Sequence, residues 1–297
     1  MKKDTIIVTG GAGFVGSNLI EYLLLKTKFK IISLDNYSSG VKVNHIKNSR
    51  VQYLKTHTKN IHTKLKKFKR SIHSLFHFGE FSRIYQSFLN LNECIETNSI
   101  GSQEVFRFCL ENNIKLIYSA TSASLGNSGS DKNLSPYAFT KAKNLELLQN
   151  LKKWYGFKFE IIYFYNVYGP RQIEEGKMAT VIGIFENYYK KNLPLPIVRP
   201  GTQSRRFTHI EDTVKVCYIA WKKNLCRHYA ITNRKSYSIL QIAKMFGPRI
   251  RYLQSRKGER FASALTDMNL SSKVYKYFGS VKNKKYIEIF KKNHPIK

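Results

Sequence analysis

A doubly wound parallel α/β sheet with a smaller mixed C-terminal lobe is the fold class predicted from the sequence, on three observations. Short apolar runs rich in β-branched residues alternate with helical patterns through the first half of the chain. A glycine cluster stands between the first such run and the first helix. Beyond Asn166 the alternation gives way to prolines and short segments.

The elements follow in order. Ile6-Ile7-Val8 reads as a buried strand, then Gly10 to Gly16, then a helix through Leu19, Leu23 and Leu24. Ile31, Ile32 and Leu34 make a second strand, closed by Asp35-Asn36. Val51 to Leu54 is a weaker third, Leu75-Phe76-His77-Phe78 a fourth and Leu116-Ile117-Tyr118 a fifth. One long helix is expected over 91–112 and another over 137–155, followed by a sixth strand from Ile161 to Phe164. Strands alternating with helices imply a parallel sheet covered on both faces. Gly169-Pro170 then breaks the chain, a helix runs through Val181, Ile184, Phe185 and Tyr188, and Pro194, Pro196 and Pro200 exclude long elements after it. No internal repeat or low-complexity linker is evident.

Composition narrows the class. At 297 residues and 42% hydrophobic, the chain can build one large core or two closely packed domains. No apolar run approaches the ~20 residues that cross a bilayer. The N-terminus enters a strand and then glycines, with no signal-peptide cleavage site, so a cytoplasmic location is expected. Cys94, Cys109, Cys217 and Cys226 show no C-x-x-C spacing, and the eight histidines do not cluster, so no metal is expected. The net charge of +32 predicts attraction to polyanions. The lysines are spread along the chain, with only a modest cluster at Lys64 to Arg70, and form no stripe interleaved with stacking aromatics. A specific nucleic-acid partner is therefore not expected.

Two motifs carry chemistry. Gly10, Gly13 and Gly16 satisfy G-x-x-G-x-x-G, and Gly11, Gly13 and Gly16 satisfy G-x-G-x-x-G. A pyrophosphate must approach backbone N–H groups at the helix N-terminus, where a Cβ would obstruct it. Asp35 ends the second strand, where a carboxylate binds adenosine ribose hydroxyls and repels a 2′-phosphate, so NAD is expected in preference to NADP. Strand, glycine turn, helix and acid in register read as a Rossmann fold. Tyr137 and Lys141 lie four apart at the start of a helix, on one face. An ammonium beside a phenol favours the phenolate and makes a base able to take a proton from a sugar hydroxyl.

With these motifs in order along nearly the whole chain, the sequence resembles the extended short-chain dehydrogenase/reductases of the NAD-dependent nucleotide-sugar epimerase and dehydratase group. UDP-glucose 4-epimerase is its nearest well-known type. The resemblance implies NAD contacts from Gly10, Gly13, Phe14, Val15, Gly16, Asp35, Asn36, Phe78, Asn98, Tyr137, Lys141 and Tyr165. It implies a catalytic trio of Thr121, Tyr137 and Lys141, with Thr121 five before Gly126. Asn166-Val167-Tyr168-Gly169-Pro170-Arg171 matches a family segment, and Gly201, Gln203, Arg205 and Phe207 match a phosphate-binding loop. Asn166, Arg205, Arg256 and Glu259 are the substrate contacts it implies, for a nucleotide sugar and specifically a UDP-hexose. The domains so implied are a Rossmann NAD domain over 1–166, to which 207–232 returns, and a substrate lobe over 167–206 and 233–297. A homodimer is expected, pairing the two long helices with their copies in a four-helix bundle.

The chain also departs from the family pattern. Thr56-His57-Thr58 replaces an acidic dipeptide that contacts adenine, Tyr163 stands in place of an arginine, and the loop reads Arg205-Arg206-Phe207 instead of Arg-Asp-Phe. Glu80 follows Gly79 where two small residues are expected. In 4,6-dehydratases the catalytic Thr precedes Asp and Glu; here Ser122 and Ala123 follow Thr121. The chemistry left is oxidation at C4, rotation of the keto sugar and its reduction on the opposite face, which is 4-epimerisation. The alternatives are a 4-reductase or dehydrogenase, a 4,6-dehydratase, and a dinucleotide-binding protein without turnover.

Overall fold

The computed structural model describes residues 3–122, 132–255 and 274–296. Strands β1 (Thr5–Thr9), β2 (Lys30–Asp35), β3 (Val51–Lys55), β4 (Ile72–His77), β5 (Lys115–Thr121) and β6 (Phe159–Phe164) fall on the expected apolar runs. Helices α1 (Phe14–Lys26), α2 (Ile61–Leu65), α3 (Ile84–Leu89), α4 (Leu91–Ile95), α5 (Ser102–Glu111) and α6 (Pro136–Tyr155) lie between them. The second half supplies β7 (Val167–Tyr168), α7 (Val181–Lys190), β8 (Leu195–Val198), β9 (Ser204–Arg205) and β10 (Thr208–His209). Next come α8 (Ile210–Lys223), β11 (His228–Thr232), β12 (Tyr237–Ser238) and α9 (Ile239–Phe246). Finally come β13 (Ile250–Leu253), β14 (Val274–Phe278) and α10 (Asn283–Asn293).

Eight strands form one parallel sheet in the order β14-β11-β6-β5-β4-β1-β2-β3. Chain order runs outward in both directions from β1 and β4, so the topological switch lies between them, where such sheets open a crevice at their carboxyl ends. Ile6, Ile7 and Val8 are fully buried, because helices cover both faces. One face packs Val105, Phe106, Phe108 and Leu148 of α5 and α6; the other packs Leu19, Ile20, Val214 and Cys217 of α1 and α8. A separate apolar cluster in the lobe joins Ile182, Phe185, Ile197, Ile242, Phe246 and Ile287.

Two findings differ from the sequence reading. First, β14 falls inside 233–297, assigned above to the lobe, yet it pairs with β11 at the edge of the central sheet. An edge strand with its Tyr and Lys side chains partly in solvent carries no buried-strand signature. Second, the expected helix over 91–112 is interrupted. A π-helical turn, Glu96–Gly101, separates α4 from α5 and carries the buried Asn98. Such turns occur mostly at functional sites. Helix α6 begins as its sequence requires: the Ser135 hydroxyl accepts from the Ala138 N–H at 3.1 Å, Pro136 opens the first turn, and Gly156 ends the helix with φ 66°.

Candidate active site

A cleft of about 740 Å³ opens at the carboxyl ends of β1, β2, β4, β5 and β6. Its floor is the turn from β1 into α1. Gly10 takes φ +70°, and a Cβ on Gly16 would stand 2.1 Å from the Gly10 carbonyl oxygen, so neither position tolerates a side chain. Gly13 caps α1 without a side chain, and the first turn of α1 carries no acid. The helix therefore presents bare N–H groups to an anion. Asp35 closes the far side. Its oxygens accept from the Ala12 N–H at 2.9 Å and the Tyr37 N–H at 2.8 Å. Burial pushes this carboxyl upward against those donors.

Most of the sequence-predicted residues meet here. Gly10, Gly13, Phe14, Val15, Gly16, Asp35, Asn36, Phe78, Thr121, Tyr137, Lys141 and Asn166 all line the cleft. Thr56, His57 and Thr58, the altered adenine segment, line it too. Five described residues of the prediction do not: Gly201 and Gln203 of the expected phosphate-binding loop, and Asn98, Tyr165 and Arg205. Asn98 is fully buried behind the wall and clamps Phe81, accepting its N–H at 2.7 Å and donating to its carbonyl at 3.0 Å. Tyr165 packs into the core while its neighbours Phe164 and Asn166 face the cleft, because side chains alternate in extended chain. Arg205 lies on β9, pairs with Tyr237 in the lobe and is not among the cleft residues. Arg256 and Glu259 fall outside the described residues. Tyr163, which replaces an arginine, is buried and meets His228 Nδ1 at 3.0 Å.

Lys141 is almost fully buried and is held by two acceptors. Its Nζ donates to the Ser119 carbonyl at 2.6 Å and to Glu80 Oε2. Glu80 is as deeply buried, and its other oxygen accepts from Ser102 Oγ and Tyr118 OH, each at 3.0 Å, and from Asn144 Nδ2 at 3.3 Å. A hydrogen-bond chain backs this group. Thr9 Oγ1 accepts from the Phe78 and Gly79 N–H groups at 3.1 and 2.9 Å, so its single proton goes to His77 Nδ1 at 2.7 Å. His77 must then carry its proton on Nε2, which donates to Ser102 Oγ at 2.9 Å. Full burial holds the imidazole down at about 4, so it is neutral. Across the cleft, Arg83 donates from Nε to the Met178 carbonyl at 2.9 Å and ties this wall to the lobe.

Glu80 and Arg83 are the site residues not assigned from sequence. Glu80 stood out as a departure from the family pattern, but its partners lie 22 to 64 residues away. Arg83 gave no signal, since its acceptor is 95 residues downstream. Among the described residues, no group of three His, Cys, Asp or Glu side chains could hold a metal, and no helix is long and apolar enough to cross a membrane.

The family model described as the NAD dependent epimerase/dehydratase family matches residues 6–233. The chain belongs to that family. It is 30% identical over 230 residues to an uncharacterized UDP-glucose epimerase of Bacillus subtilis, covering 71% of this chain and 70% of that one. It is 27% identical over 232 residues to a putative UDP-glucose 4-epimerase of Methanocaldococcus jannaschii, covering 74% and 75%. Among solved structures it shares its fold with the UDP-glucose 4-epimerase of Thermotoga maritima, with a TM-score of 0.84 and 23% identity over 97% of this chain and 99% of that one. A UDP-N-acetylglucosamine 4-epimerase from Methanobrevibacter ruminantium superposes with a TM-score of 0.82 and 26% identity, covering 98% and 96%. The cofactor of this protein is NAD. The site fits it: the Gly10–Gly16 turn leaves room that a Cβ would fill, and Asp35 stands at the end of β2.

Proposed function

We propose that the protein is a nucleotide-sugar 4-epimerase acting on a UDP-hexose. The observation that carries this reading is the acid–base inventory of the cleft. Thr121, Tyr137 and Lys141 line it, while both described carboxylates that line it are engaged. Asp35 holds backbone N–H groups, and Glu80 holds Lys141, Tyr118, Ser102 and Asn144. Ser122 stands where a dehydratase would carry an aspartate, and Ala123, outside the described residues, where it would carry a glutamate. Elimination of water needs a base for the C5 proton and an acid for the departing hydroxyl, and among the described residues of the cleft no carboxyl is free for either role.

NAD, when bound, supplies the hydride acceptor and donor that inversion at C4 requires. Tyr137 takes and returns the C4 hydroxyl proton. Thr121 hydrogen-bonds the same hydroxyl and orients it. Lys141, fixed by Ser119 and Glu80, holds its charge beneath the reacting centre. Asn166 and the lobe beyond it enclose the sugar and nucleotide.

Proton NMR of the protein incubated with UDP-glucose or UDP-N-acetylglucosamine tests this. The expected result is a mixture of C4 epimers with no net NADH. A stable 4-keto-6-deoxy product would overturn the inventory argument, and stoichiometric NADH would indicate a dehydrogenase.

Homodimerisation belongs to the same reading. Leu91, Ile95, Ile100, Phe139, Trp154 and Tyr155 leave apolar surface exposed along the α4–α5 and α6 segments. Light scattering at assay concentration should give twice the 34.6 kDa chain mass; a monomer would refute the pairing.

A further inference from the structure

We propose that Glu80 is a positioning residue, the counter-ion of Lys141, and that it restrains the readiness with which the Tyr137 phenol loses its proton. The proposal rests on the reading of Tyr137 as the base. An ammonium one helical turn from a tyrosine normally stands alone and favours the phenolate by its full charge. Here the ammonium shares its burial with a carboxylate, so part of its field at Tyr137 is offset.

The carboxylate is held by hydrogen-bond donors. Four groups contact it, Lys141 Nζ, Ser102 Oγ, Tyr118 OH and Asn144 Nδ2, and each has a proton to give. The polarity of the chain from Thr9 through His77 forces Ser102 to donate forward. Asn144 Nδ2 gives one proton to the Asn98 carbonyl at 2.6 Å and shares the other between Tyr118 OH at 3.1 Å and Glu80, while Tyr118 gives its own proton to Glu80 at 3.0 Å. No acceptor in the set would receive a proton from Glu80.

The other titratable groups near Tyr137 are Tyr118 on β5, Cys94 on α4 and Arg83 before α3, with His77 on β4 standing next to Glu80 and Lys141. Burial keeps three of them neutral. It holds His77 down to about 4, pushes Cys94 up to about 11 and pushes Tyr118 well above its ordinary value. Among the described residues, the charges left near the phenol in the working range are Lys141, Glu80 and Arg83. Glu80 is the one that opposes a phenolate.

Two variants separate charge from anchoring. Glu80→Gln removes the charge and, with its one acceptor oxygen turned to Lys141, keeps that hydrogen bond while giving up those from Ser102, Tyr118 and Asn144; Glu80→Ala removes all of them. Both should move the acid limb of kcat/KM, measured with a UDP-hexose, to lower pH by about one unit or more. Only the alanine variant should also lower kcat at its plateau. The same ionisation is read without substrate, by ultraviolet difference titration of each NAD-loaded variant against its Tyr137→Phe counterpart. That readout stands whether or not the sugar assignment holds. An acid limb and a phenolate signal that stay at the wild-type pH in both variants, or move upward, overturn the proposal. If the glutamine variant does not fold, the alanine variant decides by the same two readouts.

Discussion

Replacing Tyr137 by phenylalanine should lower kcat by about 10²- to 10⁴-fold, the range that a positioned acid–base group contributes, while KM and melting temperature change little. The structure explains the separation. The Tyr137 ring packs with Phe81, Cys94, Ala138, Ile84 and Met178, and its backbone N–H donates to Ser87 Oγ at 3.2 Å. Phenylalanine keeps all of these contacts. What it loses is the hydroxyl, the group proposed above to carry the C4 proton. A loss in kcat with KM unchanged marks an interaction made in the transition state. Steady-state kinetics with each candidate UDP-sugar, alongside thermal melting, checks both halves. Turnover within a few-fold of wild type would remove Tyr137 from the mechanism.

Gly16→Ala should abolish retention of NAD. The added Cβ would stand 2.1 Å from the Gly10 oxygen and 2.8 Å from Gly10 C and Gly11 Cα. All three are backbone atoms of the turn that must receive the pyrophosphate, so no side-chain rotation relieves the clash. Either α1 moves away from β1 or the turn opens, and each displaces the N–H groups that bind the phosphates. The cost in stability is at least the ~1–3 kcal/mol typical of overpacking. Gly247→Ala is the matched control: its backbone is extended, and a Cβ there meets nothing within 4 Å. NAD released on denaturing each purified variant, quantified against protein, provides the measurement. A Gly16→Ala protein with wild-type NAD content would contradict the placement of the cofactor.

Those two experiments address parts of the site that are readable from the chain itself. The strand–glycine–helix sequence at Ile6 to Leu24 and the Tyr137–Lys141 spacing are local patterns. Their geometry follows from φ/ψ preference and the helical repeat, whatever else the chain does. The apolar runs likewise announce a parallel sheet, because strands buried on both faces have no polar positions to alternate. The adjacency of Tyr137 and Lys141 needed only that α6 be a helix, and Ser135, Pro136 and Gly156 mark its two ends.

What the chain did not reveal by itself depends on partners distant in sequence. The π-helical turn is held where Asn98 clamps Phe81 and donates to Thr140 at 3.2 Å, contacts that span 17 and 42 residues. The edge strand β14 takes its place by pairing with β11, although its own residues are half exposed. Tyr165 and Arg205 matched family positions, yet one points into the core and the other sits on a two-stranded pairing in the lobe, because facing is decided by packing. Glu80 shows the division most clearly. Its sequence position predicts a misfit beside the cofactor. Only the folded chain brings Lys141, Tyr118, Ser102 and Asn144 around it, and a buried carboxylate is stable only with such donors. Local sequence thus determined the sheet, the glycine turn and the Tyr137–Lys141 pair; the tertiary structure alone decided which charge stands behind that pair, since burial and Coulomb interactions act across space and not along the chain.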